Sequence, residues 1–195
     1  MIKQARAIRT RDQIMNAAAE EFALHGYAAT NLAVVATRTG MTKGALYGHF
    51  GSKRALADAL VNESAQTWAI LHSERADELS LKELALLIGR QMQIDTRFRA
   101  TVRLAADCTR TTGGAPELLA HIRHKITAAA ARARQDAPRS SPLASQSPQI
   151  VAHLLLTVAY GLAFVTEQCA EGQQSDAGDQ VWQLVLGSLG LGETA

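Results

Sequence analysis

Between Gly26 and Lys53 the sequence is interrupted three times, at Gly26, at Gly40-Met41 and at Gly51-Ser52. Each break carries or precedes a residue that caps helices well: Thr30 and Asn31, then Thr42, then Ser52. The intervals left, Leu32–Arg38 and Lys43–His49, allow about two helical turns each. Two short helices joined through a Gly-containing turn are what a helix-turn-helix requires. A longer segment over 5–25 precedes them. It has Ile8, Ile14, Ala18 and Phe22 near helical spacing, Leu24 closing the apolar side, and Gly26 as its C′ residue. Val35, Ala36, Leu46 and Phe50 can pack on Ile14, Ala18 and Phe22. A three-helix head over 1–52 is therefore predicted.

The rest, 53–195, reads as a second domain made of helices. Lys53 to about Ser73, capped by Ser52, is followed by segments over Leu79–Asp95 and Thr96–Arg110. Gly113-Gly114 and Pro116 punctuate the chain before a helix to about Gln135. Residues 137–147 form a Pro/Ser-rich stretch expected to be a mobile loop. Pro148 opens a strongly apolar helix to about Ala170, and a last helix spans Asp176 to Ser188. Strand-favouring runs are scarce and aromatic residues make up 5% of the chain. The fold class expected is all-α, with about nine helices: a helix-turn-helix head and a ligand-binding and dimerisation bundle.

Charge separates the two parts. Residues 1–56 hold eight Lys/Arg against three Asp/Glu, a net +5, and the remainder carries −3. A basic head on a mildly acidic body suits a polyanion-binding module attached to something else. Cys108 and Cys169 lie far apart without a C-x-x-C partner, so a disulfide framework or cysteine zinc site is not expected. The N-terminus lacks an apolar signal core, and no run of ~18 apolar residues occurs. A cytoplasmic protein with no membrane association is the expectation, and no cofactor is foreseen. His121 and His124, with Glu117 one turn earlier, have a spacing that suits a divalent metal. Arg123 and Lys125 flank them and no second cluster completes the set, so a metal-dependent helical enzyme is the weaker reading. No Walker, Rossmann or G-x-S-x-G signature occurs.

The head resembles the TetR family of regulators. The resemblance rests on Thr10, Ile14, Ala17-Ala18, Phe22, Gly26-Tyr27, Thr30, Val35-Ala36, Gly40 and the run M-T-K-G-A-L-Y-G-H-F-G-S-K from Met41 to Lys53. It covers about the first quarter of the chain. It implies a homodimer that binds palindromic operator DNA, usually as a repressor, and releases it when the body binds a small effector. The DNA-contacting set expected is Arg6, Arg9, Arg11, Thr30, Thr42, Lys43, Gly44, Ala45, Tyr47, His49 and Lys53. The chemistry agrees with the positions. Thr42 presents a helix N-terminus to phosphate, and Lys43 reaches a guanine edge or a phosphate. Gly44 and Ala45 are small enough for close approach, and the Tyr47 and His49 side chains suit phosphate oxygens. Lys53 resembles the family's phosphate-contacting lysine. Arg6, Arg9 and Arg11 let the N-terminal segment follow the backbone or the minor groove. The chain departs from the family at Gly48, where a bulky, often aromatic residue is usual.

In the body, Pro148–Ala170 and the last helix are apolar on more than one face, which suits a two-fold four-helix interface. The interface expected uses Ile150, Leu154, Val158, Val181, Trp182, Val185 and Leu189. A pocket for a small apolar effector is expected among Trp68, Leu71, Leu87, Gln91, Phe98, Val102, Cys108, Ile122, Ile126, Tyr160 and Phe164. The stretches T-K-G-A-L-Y and V-R-L-A at 102–105 are similar to the γ-butyrolactone receptor subgroup. The pocket tryptophan of that subgroup falls near Ile122, where this chain has none. The alternative is a DNA-binding regulator with no small effector.

Overall fold

The computed structural model describes residues 2–72, 78–112, 117–165 and 174–192. Among these the chain is helical throughout: α1 (Ile2–Ala29), α2 (Leu32–Arg38), α3 (Lys43–Phe50), α4 (Lys53–His72), α5 (Leu81–Ile94), α6 (Thr96–Thr112), α7 (Glu117–Asp136), α8 (Pro142–Ser145), α9 (Pro148–Val165) and α10 (Gln174–Ser188). The predicted breaks at Gly113-Gly114 and Pro116 lie outside the described residues, as do Cys169 and the stretch beyond Val165 assigned to the apolar helix.

Two compact units emerge. The first comprises residues 1–68 and 95–116, the second residues 69–94 and 117–195. The boundary expected after residue 52 falls inside the first unit, which takes in α6 and most of α4. Its core gathers Ile14, Ala18 and Phe22 from α1, Val35 from α2, Leu46 and Phe50 from α3, and Leu56 and Leu60 from α4. Ala100 and Leu104 from α6 complete it. Each large side chain buried here contributes about 1.5–3 kcal/mol. Ile8 and Leu24, expected on the apolar side of α1, are exposed instead. Ile8 lies a turn and a half before Ile14, where the core begins.

Polar contacts reinforce this unit. Arg38 on α2 bridges Glu20 at 2.6 Å and the buried Glu21 at 3.3 Å. Arg97 on α6 donates to Asn16 at 2.8 Å. A buried hydroxyl pair, Thr101 to Ser64 at 2.9 Å, links α6 to α4.

In the second unit, α5, α7, α9 and α10 pack together. α5 begins with a capping box, in which Glu83 accepts from both the amide and the hydroxyl of Ser80 while its own amide donates back to the Ser80 hydroxyl. Those bonds hold the Glu83 carboxyl below its usual range. Trp182 on α10 is buried against Gly89 on α5; a Cβ at position 89 would lie 2.7 Å from the ring carbon Cε2. The stretch 137–147, expected as a loop, contains the single turn α8. Ser141 caps it by accepting from the Leu143 amide at 3.3 Å, Pro142 opens it, and Leu143 is buried. The apolar Leu143 anchors what composition alone marks as mobile, and this turn raises the helix count to ten among the described residues.

Candidate nucleic-acid interface

The α2–α3 hairpin is set by local chemistry. Asn31, rather than Thr30, caps α2 by accepting from the Ala33 amide at 2.9 Å. The C-terminus of α2 closes with paired bonds, Met41 amide to Ala36 carbonyl at 2.9 Å and Gly40 amide to Thr37 carbonyl at 3.1 Å. This is a Schellman closure and it needs a left-handed residue, supplied by Gly40 at φ 67°. Thr42 then caps α3, accepting from the Ala45 amide at 3.2 Å.

Along α3, Leu46 and Phe50 are buried. At about 100° per residue, Gly48 falls opposite them, flanked by Gly44 and Ala45. A Cβ at Gly44 or Gly48 would meet nothing within 4 Å. Tyr47 and His49 flank this bare face, and the Lys43 ammonium lies 6.0 Å from the Tyr47 ring centroid. Thr42, Lys43, Gly44, Ala45, Tyr47 and His49 are all exposed. Phe50 belongs to the core, as its apolar character suggests.

Other expected contacts are engaged elsewhere. Thr30 is buried, and its hydroxyl donates to the Gly26 carbonyl at 2.6 Å and the Glu21 carbonyl at 3.1 Å; its inward orientation removes it from the exposed set. Arg11 ties α1 to α4 through Glu63 at 2.9 Å and lies 4.6 Å over the Phe50 ring. Lys53 donates to the carbonyls of Ala28 at 3.1 Å and Thr30 at 2.7 Å, and partial burial lowers its pKa. Arg6 and Arg9 are exposed on α1, which starts at Ile2.

The expected effector residues divide between the two units. In the first, Trp68, Phe98 and Val102 are buried, and the rings of Trp68 and Phe98 stack at 4.7 Å. In the second, Leu87 and Gln91 on α5 and Tyr160 on α9 are half-buried, while Ile122 and Ile126 on α7 are buried. Burial pushes the Tyr160 hydroxyl up to about 12. The side chains of Leu71, Cys108 and Phe164 lie outside the described residues.

Of the expected interface residues, Ile150 and Leu154 are exposed on α9, and Val158, Val181 and Val185 are half-buried. Trp182 and Leu189 are buried within the subunit and so serve its own core. Leu184, which is not among the expected interface residues, is 74% exposed. Because α10 is apolar on two faces, spacing alone does not tell which one turns inward. His121 and His124 are exposed on α7, and no group of three metal-ligating side chains forms among the described residues. No helix among them is long and apolar enough to cross a membrane.

Residues 14–60 match the family described as bacterial regulatory proteins, tetR family. The chain is 29% identical over 192 residues to the A-factor receptor protein of Streptomyces griseus, covering 97% of this chain and 67% of that one. Shorter matches to other curated regulators span about half of this chain and about half of theirs. CprB of Streptomyces coelicolor, solved in complex with its operator sequence, aligns with a TM-score of 0.67 and 27% identity, over 93% of this chain and 88% of that one. A structure described as a gamma-butyrolactone receptor (ArpA-like protein) aligns with a TM-score of 0.67 and 25% identity, over 94% and 89%.

Proposed function

We propose that the chain, whose residues 14–60 match the tetR family of bacterial regulatory proteins, is a homodimeric repressor that reads a palindromic operator through α3. The observation that carries this reading is the outward face of α3. Lys43 and Tyr47 stand exposed beside a backbone bare at Gly44 and Gly48, on a scaffold fixed by Leu46 and Phe50. Such a helix can seat close to the floor of the major groove, with Lys43 at a base edge or phosphate. One short helix reads only a few base pairs. Two related by a two-fold axis read half-sites about 34–36 Å apart. The exposure of the large apolar side chains Ile150 and Leu154 on α9 and Leu184 on α10 supports self-association.

The effector proposed is a small apolar molecule of the γ-butyrolactone type. The A-factor receptor and the gamma-butyrolactone receptor among the similar proteins support that class. Leu87, Gln91, Ile122, Ile126 and Tyr160, all in the second unit, offer apolar side chains and two hydrogen-bonding groups of the kinds that ligand sites use. Ile122 in place of the subgroup's tryptophan favours a ligand that needs no indole partner.

Selection of bound sequences from random duplex DNA tests the reading, followed by titration of the winner at several salt concentrations with and without a γ-butyrolactone. The expected result is a pseudo-palindrome bound by a dimer with steep salt dependence, weakened in Lys43→Ala and released by the lactone. Weak, sequence-independent binding would overturn the operator reading. Operator binding that no lactone releases would overturn only the effector class.

A further inference from the structure

Gly26 divides α1 into a long segment and a last turn, and this break, with the link onward to α2, is clasped by side chains from two other helices. After His25 the chain leaves helical geometry at Gly26, with φ 68° and ψ −178°. A helix ending there leaves its last carbonyls without donors from its own turn. Arg103 on α6 supplies them, donating to the Ala23 carbonyl at 2.6 Å and the Leu24 carbonyl at 3.0 Å. One turn further along α6, the Asp107 carboxylate accepts from the Tyr27 amide at 2.8 Å. Lys53, at the start of α4, holds the next carbonyls, those of Ala28 and Thr30, with its ammonium 5.0 Å from the Tyr27 ring centroid. The Tyr27 ring in turn lies parallel to Phe22. Gly26 makes the close approach feasible as well as the turn. A Cβ there would sit 2.8 Å from the Asp107 carboxylate and 3.1 Å from the Arg103 guanidinium.

We propose that Arg103 and Asp107 are positioning residues for operator binding: they cap α1 from α6 and thereby fix the direction in which the α2–α3 hairpin leaves it. The proposal rests on the operator reading above. Neither residue needs to meet DNA. A loosened link lets the hairpin sample orientations of which only a fraction suits the groove, and apparent affinity falls by that fraction. Non-specific attraction to phosphates depends on charge count rather than on this orientation, so it persists. α6 would thus be a route by which a displacement in the chain reaches the recognition helix.

The test uses the full-length protein and the selected operator, titrated at several salt concentrations beside a scrambled duplex. Circular dichroism serves as the folding control. Asp107→Ala should weaken operator binding roughly tenfold, the loss associated with one charge-assisted hydrogen bond, and leave scrambled-duplex affinity unchanged. Asp107→Asn, whose amide oxygen still accepts from the Tyr27 amide, should recover most of that loss. Arg103→Met keeps the packed stem and removes the donors. It should weaken operator binding with the salt slope unchanged, and it decides the matter if Asp107→Ala does not fold. Wild-type operator affinity in the folded variants would overturn the proposal. So would Asp107→Asn behaving like Asp107→Ala, or a salt slope lowered by about one in Arg103→Met, the mark of a direct phosphate contact. If the wild-type protein selects no operator, the reading beneath the proposal fails instead.

Discussion

Replacing Gly48 by alanine should stabilise the free protein and weaken its grip on the operator. Gly48 lies inside α3 without a positive φ, and a Cβ there meets nothing within 4 Å. Alanine in such a position restricts the unfolded chain and gains helix propensity, about 0.5–1 kcal/mol in all. In the complex the same methyl points away from Leu46 and Phe50, into the surface expected to face the groove. If the backbone approaches as closely as the bare face allows, the added atom must be accommodated at a cost of about 1–3 kcal/mol, the range for an overpacked contact. Every 1.4 kcal/mol is about tenfold in affinity. Urea unfolding monitored by circular dichroism measures the first effect, and operator titration at fixed salt the second. A variant that is more stable and binds the operator as tightly as wild type would refute the placement of Gly48 against DNA. One that is not stabilised would refute the claim that the position is unstrained helix.

Gly89→Ala should destabilise the second unit by about 1–3 kcal/mol, because Trp182 is 1% exposed and has no room to retreat from the new Cβ; urea unfolding of the variant measures it. Leu184→Glu should shift the protein toward monomer in analytical ultracentrifugation while leaving its helicity intact, since Leu184 is 74% exposed in the subunit; an undiminished dimer would exclude that face. Tyr160 has its pKa raised from 10.0 to about 12 by burial. Its contribution to stability is fully present below the unfolded value and is lost as pH rises through the folded one. Wild type should therefore lose more stability than Tyr160→Phe between about pH 10 and 12 in denaturant titrations.

The short helices of the head were legible because their limits are local. Asn31, Gly40, Thr42 and Ser52 terminate and cap them within one turn, and the observed spans of α2 and α3 follow. Residues whose fate depends on distant partners were not legible. Thr30 reads as a cap or a DNA contact by type, yet the Gly26 and Glu21 carbonyls draw it inward. Arg11 reads as a DNA-facing cation, and nothing near it in sequence announces its ion pair with Glu63, far along the chain. The role of α6 was invisible for the same reason. Nothing near Arg103 in sequence announces the carbonyls of Ala23 and Leu24. Leu143 is the opposite case, one large apolar residue in a Pro/Ser-rich stretch whose burial gives α8 its place.

That α6 shares a core and a clasp with the first three helices bears on how such regulators can be recombined. Residues 1–52 are not a self-sufficient cassette. Grafted onto another sensor body, they would arrive without Ala100 and Leu104 beneath Phe22 and its neighbours, and without Arg103 and Asp107 at Gly26. A chimera that retains the operator of this head should therefore carry the discontinuous pair 1–68 and 95–116 together, with the foreign sensor entering between them and after them.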